Sequence, residues 1–126
     1  MSDKKINVAW VSGGYGEART LYGKIKEKFK GADCFLCDRF TEPSQLMSKL
    51  TTNQCFSERR IIRISELPEM TDSEKKKFRA ALESLEEDIF VVFYMIDPSD
   101  EKAIFNTVEK IGEVYNFTNK IPTKEA

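Results

Sequence analysis

The run IFVVFYMI, Ile89 to Ile96, decides the architecture of this chain. Eight consecutive apolar residues, many of them branched or aromatic, favour a strand over a helix at this length. A strand with no polar alternation needs cover on both faces, so this one is predicted to be central in a sheet sandwiched between helix layers. Outward from it, strand and helix patterns alternate. INVAWV (6–11) reads as a first strand running into Gly13 and Gly14, DCFLCDRF (33–40) as a second, RRIIRIS (59–65) as a third and EVYNFT (113–118) as a fifth. Between them, Ala18, Leu21, Tyr22, Ile25 and Phe29 recur at helical spacing over 16–30, with Gly31 as a stop. A proline-led helix is expected at 43–52, with Leu46, Met47 and Leu50 on one side. Another follows at 72–87 behind a Thr71–Glu74 capping box, with Phe78, Ala81, Leu82 and Leu85 turned inward. The last, 98–112, has Ser99 placed to cap, Ile104, Val108 and Ile111 on one face and Gly112 as its end. Five strands alternating with four helices imply right-handed crossovers, hence a three-layer, doubly wound α/β domain around a mostly parallel five-stranded sheet. It is expected to fill 1–118, with 119–126 as a departing tail.

Composition narrows the function. A chain of 126 residues has room for one domain and a core large enough to fold without staples. The net charge of -1 provides no overall field for holding a polyanion. EKKKFR (74–79) is the densest basic run, but it lies in a helical pattern and reads as a solvated face. No apolar run is long enough to span a bilayer and the N-terminus has no signal-peptide pattern, so a cytoplasmic location without membrane contact is expected. Cys34 and Cys37 form a C-x-x-C on a strand, where residues three apart point to opposite faces. With Cys55 alone remaining and no histidine, Cys and His cannot complete a four-ligand zinc site; no metal is expected, and the two cysteines read as core or half-buried residues.

One stretch bears on chemistry. WVSGGYGEART (10–20) nearly matches the phosphate-loop pattern G-x-x-x-x-G-K-[ST]: Gly13 and Thr20 fit, while Ala18 and Arg19 stand where glycine and lysine belong. Gly13, Gly14 and Gly16 are expected to keep the turn flexible, and Thr20 keeps a hydroxyl. Ala18 adds a methyl where the backbone must pack closely, and Arg19 offers a planar fork in place of an ammonium. Hydrolysis also needs acids at the end of the third strand, where Ser65 stands in the metal-holding position and Glu66 follows. At the end of the fourth strand, Asp97 and Asp100 read better as helix caps than as sensors. The residues thus keep the glycines and hydroxyl of a cradle but lack the lysine and the acid that hydrolysis needs, which leaves nucleotide binding open.

Over nearly its whole length the chain resembles the N-terminal domain of the delta subunit of the DNA polymerase III clamp loader. The resemblance lies in AWVSGGYGEART, TTNQCFSERRIIRISEL, DIFVVFYMID and IGEVYNF, taken in order and spacing. It implies an AAA+-type P-loop NTPase-like fold with a non-functional phosphate loop, and a non-catalytic domain that binds and helps open the sliding clamp during DNA replication. The implied partners are the sliding clamp and other clamp-loader subunits, with DNA met only indirectly through the complex. The matching contact positions are Met47, Leu50, Gln54, Cys55 and Phe56, Cys55 replacing a leucine-type residue. The family protein continues into further helical and collar domains, so the chain is either one domain of it or a shortened relative. From the residues alone, Phe56 is either an exposed anchor or a plug in its own core. Arg59 and Arg60 are expected to start a strand and face water; their alternative is pairing with acids on a partner. Two other readings stand beside this one: a small P-loop nucleotide-binding protein or ATPase, and a flavodoxin- or receiver-like domain, which lacks paired acids after its first strand.

Overall fold

Residues 7–51 and 59–116 are described by a computed structural model of the chain. Strands β1 (Val8–Ser12), β2 (Asp33–Cys37), β3 (Arg60–Ile64), β4 (Ile89–Tyr94) and β5 (Glu113–Asn116) form one sheet in the order β2-β3-β4-β1-β5, every pairing parallel. Helices α1 (Tyr15–Lys28), α2 (Pro43–Thr51), α3 (Asp72–Glu83) and α4 (Lys102–Ile111) make the crossovers, α4 being entered through a 3-10 turn at Pro98–Glu101. The step from β1 to β2 runs toward one edge of the sheet, while β2 to β5 runs back toward the other. Right-handed connections therefore place α1 alone on one face and α2, α3 and α4 on the other. This order differs from the 2-1-3-4-5 of flavodoxins and receivers, so that reading is overturned.

Two apolar clusters follow from the arrangement. Under α1, Ala18 and Ile25 meet Ala9, Val11, Ile61, Phe90 and Val92. On the opposite face, Leu46, Leu50, Phe78, Leu82, Ile104 and Val108 close over Trp10, Ile62, Ile64, Val91 and Phe93. The expectation for β4 holds: its residues alternate between the two clusters and Ile89 to Phe93 are all buried. Trp10 stacks on Phe93 with ring centroids 4.6 Å apart, meets Phe105 edge-on at 5.1 Å, and donates its indole N–H to the Ile96 carbonyl at 3.0 Å. A large ring is thus buried with its polar atom satisfied.

Local signals are realised with two corrections. Thr71 and Glu74 form the capping box, the Glu74 amide donating to the Thr71 hydroxyl at 3.1 Å and the Thr71 amide to the Glu74 carboxylate at 2.8 Å. Ser99, however, is not the cap before α4. The chain first forms a 3-10 turn with Pro98 at its start, and Asp97 caps that turn, accepting from the Ser99 amide at 3.0 Å and the Ser99 hydroxyl at 2.9 Å, while α4 itself starts after Glu101 without a side-chain cap. Arg60 does not face water. It is 7 % exposed, because β3 is an interior strand and Arg60 points to the three-helix face with Ile62 and Ile64. Gly112 ends α4 as expected, with a further cause: a Cβ there would lie 2.5 Å from the Val8 carbonyl oxygen.

These contacts rank two substitutions. Trp10→Ala should lower unfolding stability by about 3–5 kcal/mol through loss of buried area and a residual cavity, and Thr71→Ala by about 1 kcal/mol through loss of the cap. Urea midpoints at unchanged denaturant slope measure both, and equal losses would contradict the ranking.

Candidate functional site

The chain leaves β1 toward one face of the sheet and β4 toward the other, so a crevice opens between their carboxyl ends, where ligands gather in open α/β sheets. A cleft of ≈ 350 Å³ lies there, lined by Ser12, Gly13, Met95, Ile96, Asp97, Pro98 and Asn116. Met95 has φ 64°, a left-handed conformation uncommon outside glycine and asparagine. Its amide donates to the Val11 carbonyl at 2.7 Å, which ties the turn to β1. Ile96 can then return to the core and receive the Trp10 N–H, and Asp97 is set to cap. The two bonds from Ser99, amide and hydroxyl, hold the Asp97 carboxyl below its ordinary range.

The connection from β1 to α1 is shorter than the phosphate-loop pattern suggests. Only Gly13 (φ 67°) and Gly14 (φ 47°) separate Ser12 from the first helical residue, and both occupy the left-handed region that glycine tolerates. Gly16, expected in a flexible turn, lies within the first turn of α1. The Ala18 amide donates to the Gly14 carbonyl at 2.8 Å, and its methyl is fully buried against the sheet. Thr20 donates its hydroxyl to the Gly16 carbonyl at 3.0 Å, and Arg19 is exposed. Helix formation has therefore taken the residues that would line a cradle, leaving the amides of one helix terminus without intrahelical acceptors.

An open groove of ≈ 630 Å³ flanks α1 on its β5 side, lined by Gly16, Glu17, Thr20, Leu21, Lys24 and Tyr115. Tyr115 donates its hydroxyl to the Glu113 carboxylate; that bond, with burial second, pushes its pKa up to about 12. At the end of β3, the Ser65 hydroxyl donates to the Cys37 carbonyl at 3.3 Å, and Glu66 is exposed. Among the described residues there is no group of three or more Cys, Asp and Glu that could hold a metal, and no helix long and apolar enough to cross a membrane.

Of the positions expected to meet a clamp, Met47 is half-buried and Leu50 is 2 % exposed inside the core cluster of the three-helix face. Leu50 therefore holds α2 to the sheet and offers no outward surface. Gln54, Cys55 and Phe56 lie outside the described residues. The residues flanking that segment make specific contacts. Arg60 donates to the Lys49 carbonyl at 2.9 Å, satisfying one of the orphan acceptors of the last turn of α2. Its other neighbour is the Asp33 carboxylate at 3.9 Å. Arg59 donates to the Lys28 carbonyl at 3.2 Å and lies over the Phe29 ring, 5.5 Å from its centroid.

Cys34 and Cys37 lie on opposite faces as strand spacing requires, but only Cys37 is buried; Cys34, expected in the core or half-buried, is exposed because β2 is an edge strand of the described sheet. Spacing gives no warning of the Met95 turn or of the carbonyl under Arg60, because both depend on chain segments far away in sequence. In comparisons with known proteins, no family model and no curated protein matches this chain.

Burial pushes the Cys37 thiol from an ordinary value near 9 up to about 11. The folded state favours the neutral thiol, so its contribution to stability is complete below about pH 9 and is lost as pH rises through about 11. Under mildly alkaline native conditions, iodoacetamide should label Cys34 and spare Cys37, with denaturant making both reactive. Peptide mass mapping reads the outcome, and equal native labelling of the two would contradict the burial of Cys37.

Proposed function

We propose that this chain is a non-catalytic interaction domain of the P-loop NTPase (AAA+) class, similar to the clamp-loader delta N-terminal domain, which presents residues 52–58 to a sliding clamp and helps open it. The observation that carries the reading is the anchoring of both flanks of that segment. Thr51 ends a helix whose last turn is fastened by Arg60, and Arg59 is fastened to the end of α1. A segment tethered at two fixed points loses less freedom when a partner holds it, and force applied to it passes directly into the sheet. Phe56 is the anchor of this contact, worth about 2–4 kcal/mol if fully desolvated on the partner. The all-parallel sheet with a glycine-bearing β1–α1 connection at its carboxyl edge supports the class.

Two features weigh against nucleotide turnover, the alternative reading. The Thr20 hydroxyl is engaged with the Gly16 carbonyl, and the third-strand terminus has Ser65 where a metal-holding carboxylate is needed. The domain in this proposal needs no cofactor, and it meets DNA through its complex and not through its own surface.

The test is capture of the sliding clamp of the same organism on the immobilised chain. Phe56→Ala should weaken capture by about thirtyfold or more, the equivalent of about 2 kcal/mol. Undiminished capture by the variant removes Phe56 as the contact, and absence of capture by the wild type overturns the proposal. A fluorescent ATP analogue with magnesium should not bind; saturable, magnesium-dependent binding would favour the nucleotide-binding alternative.

A further inference from the structure

Helix α1 carries Arg19, Tyr22 and Lys26 at spacings of three and four residues, which places them along one side, and Phe29 follows as its C-terminal cap. That side leans over β4 and β3. Tyr22 tilts against Tyr94 with centroids 5.5 Å apart, and Phe29 meets Phe90 edge-on at 5.4 Å. Arg59 and Arg63, two residues either side of Ile61, project to the same face of the sheet. The Arg63 guanidinium lies 5.2 Å from the centroids of both Tyr22 and Tyr94, and Lys26 lies 5.6 Å from that of Tyr22. Beyond them is the edge strand β2. Its Cys34 pairs in register with Ile61 and its Leu36 with Arg63, so both belong to this face. Both are exposed, Leu36 at 57 %, because α1 is the single helix on this side and does not reach the edge.

The result is a ledge on the α1 side of the sheet, with the exposed Leu36 in register with Arg63 at the edge strand and the cations Arg19, Lys26 and Arg59 distributed along the same side. Among the described residues none of these cations is in an ion pair; the pairs there are Arg60 with Asp33 and Lys75 with Glu101. Glu17 is turned away, lining the groove on the opposite side of α1. A chain of net charge -1 has thus concentrated positive charge on one surface by folding. The ring faces of Tyr22, Phe29 and Tyr94 are already taken by cations, which leaves them poor platforms for stacking nucleobases. Guanidinium groups held by aromatic rings beside an exposed leucine are instead the composition of a protein interface.

We infer that this ledge is a docking surface for an acidic protein segment with an apolar residue among its carboxylates. The apolar side chain rests on Leu36, and the carboxylates meet Arg19, Lys26, Arg59 and Arg63. Among the described residues β2 is an edge strand, and its outer side offers backbone hydrogen bonds to an extended segment lying along it.

The experiment measures fluorescence anisotropy of a fluorescein-labelled, glutamate-rich peptide with one central leucine, titrated with the full chain at low and moderate salt. Binding is expected, weakening as salt rises. The double variant Arg19→Glu/Lys26→Glu should reduce affinity about tenfold or more through loss of complementary charge. Both side chains are exposed, so the variant should stay folded, with a urea midpoint lowered only by the loss of the Lys26–Tyr22 contact and of a cation in the last turn of α1. Leu36→Asp, also exposed, should reduce affinity independently by removing the apolar contact. The control Lys76→Glu/Lys77→Glu, on the exposed face of α3, should bind as wild type does. No binding by the wild type, equal loss in the α3 control, or tighter binding of labelled oligothymidylate than of the peptide at the same salt would each overturn the inference.

Discussion

The structure depends on burying β1 and β4 on both faces at once. Neither strand has a polar side to give to water, so helices must lie above and below them. Right-handed crossover then leaves little freedom. The single step from β1 toward the β2 edge puts α1 on one face, and the three returning steps put α2, α3 and α4 on the other. The crevice at the carboxyl ends of β1 and β4, the groove beside β5 and the uncovered side of β2 are all consequences of covering five strands with one helix on one side and three on the other.

Arginines of β3 and its approach fasten the pieces that this layering brings together, each in a different way. Arg60, on the three-helix face, supplies a charge-assisted donor to a carbonyl in the last turn of α2. Arg59 and Arg63, on the α1 face, lie over aromatic rings, Arg59 also bonding the Lys28 carbonyl. A flat, weakly hydrated guanidinium is suited to both roles, where a lysine ammonium would serve neither as well. The same residues prepare the two surfaces proposed to bind partners. One is the segment tethered between Thr51 and Arg59, and the other is the cationic ledge along α1.

The glycine-rich stretch after β1 shows how a motif can persist in letters while its geometry changes. Gly13 and Gly14 suffice to turn the chain through left-handed backbone, after which helical hydrogen bonding begins and absorbs Gly16, Ala18 and Thr20. The Ala18 methyl, buried under α1, favours that packing and is incompatible with the close backbone approach a glycine would permit. Across the crevice, the left-handed Met95 returns Ile96 to Trp10 and sets Asp97 as a cap, so the carboxylate nearest the cleft is engaged in holding its own turn.

By itself the sequence determined whatever repeats at short range. The apolar run at β4, the helical spacing of Phe78, Ala81 and Leu82, the Thr71–Glu74 box and the opposed Cys34 and Cys37 all follow from periods of two or 3.6 residues and were legible before any fold was known. Tertiary structure alone decided the strand order, the burial of Arg60, and the meeting of Tyr22 with Arg63 and Tyr94 and of Arg59 with Phe29. Those outcomes rest on contacts between residues tens of positions apart. Their energies exist only once the crossovers have closed, so no local pattern in the chain can encode them visibly.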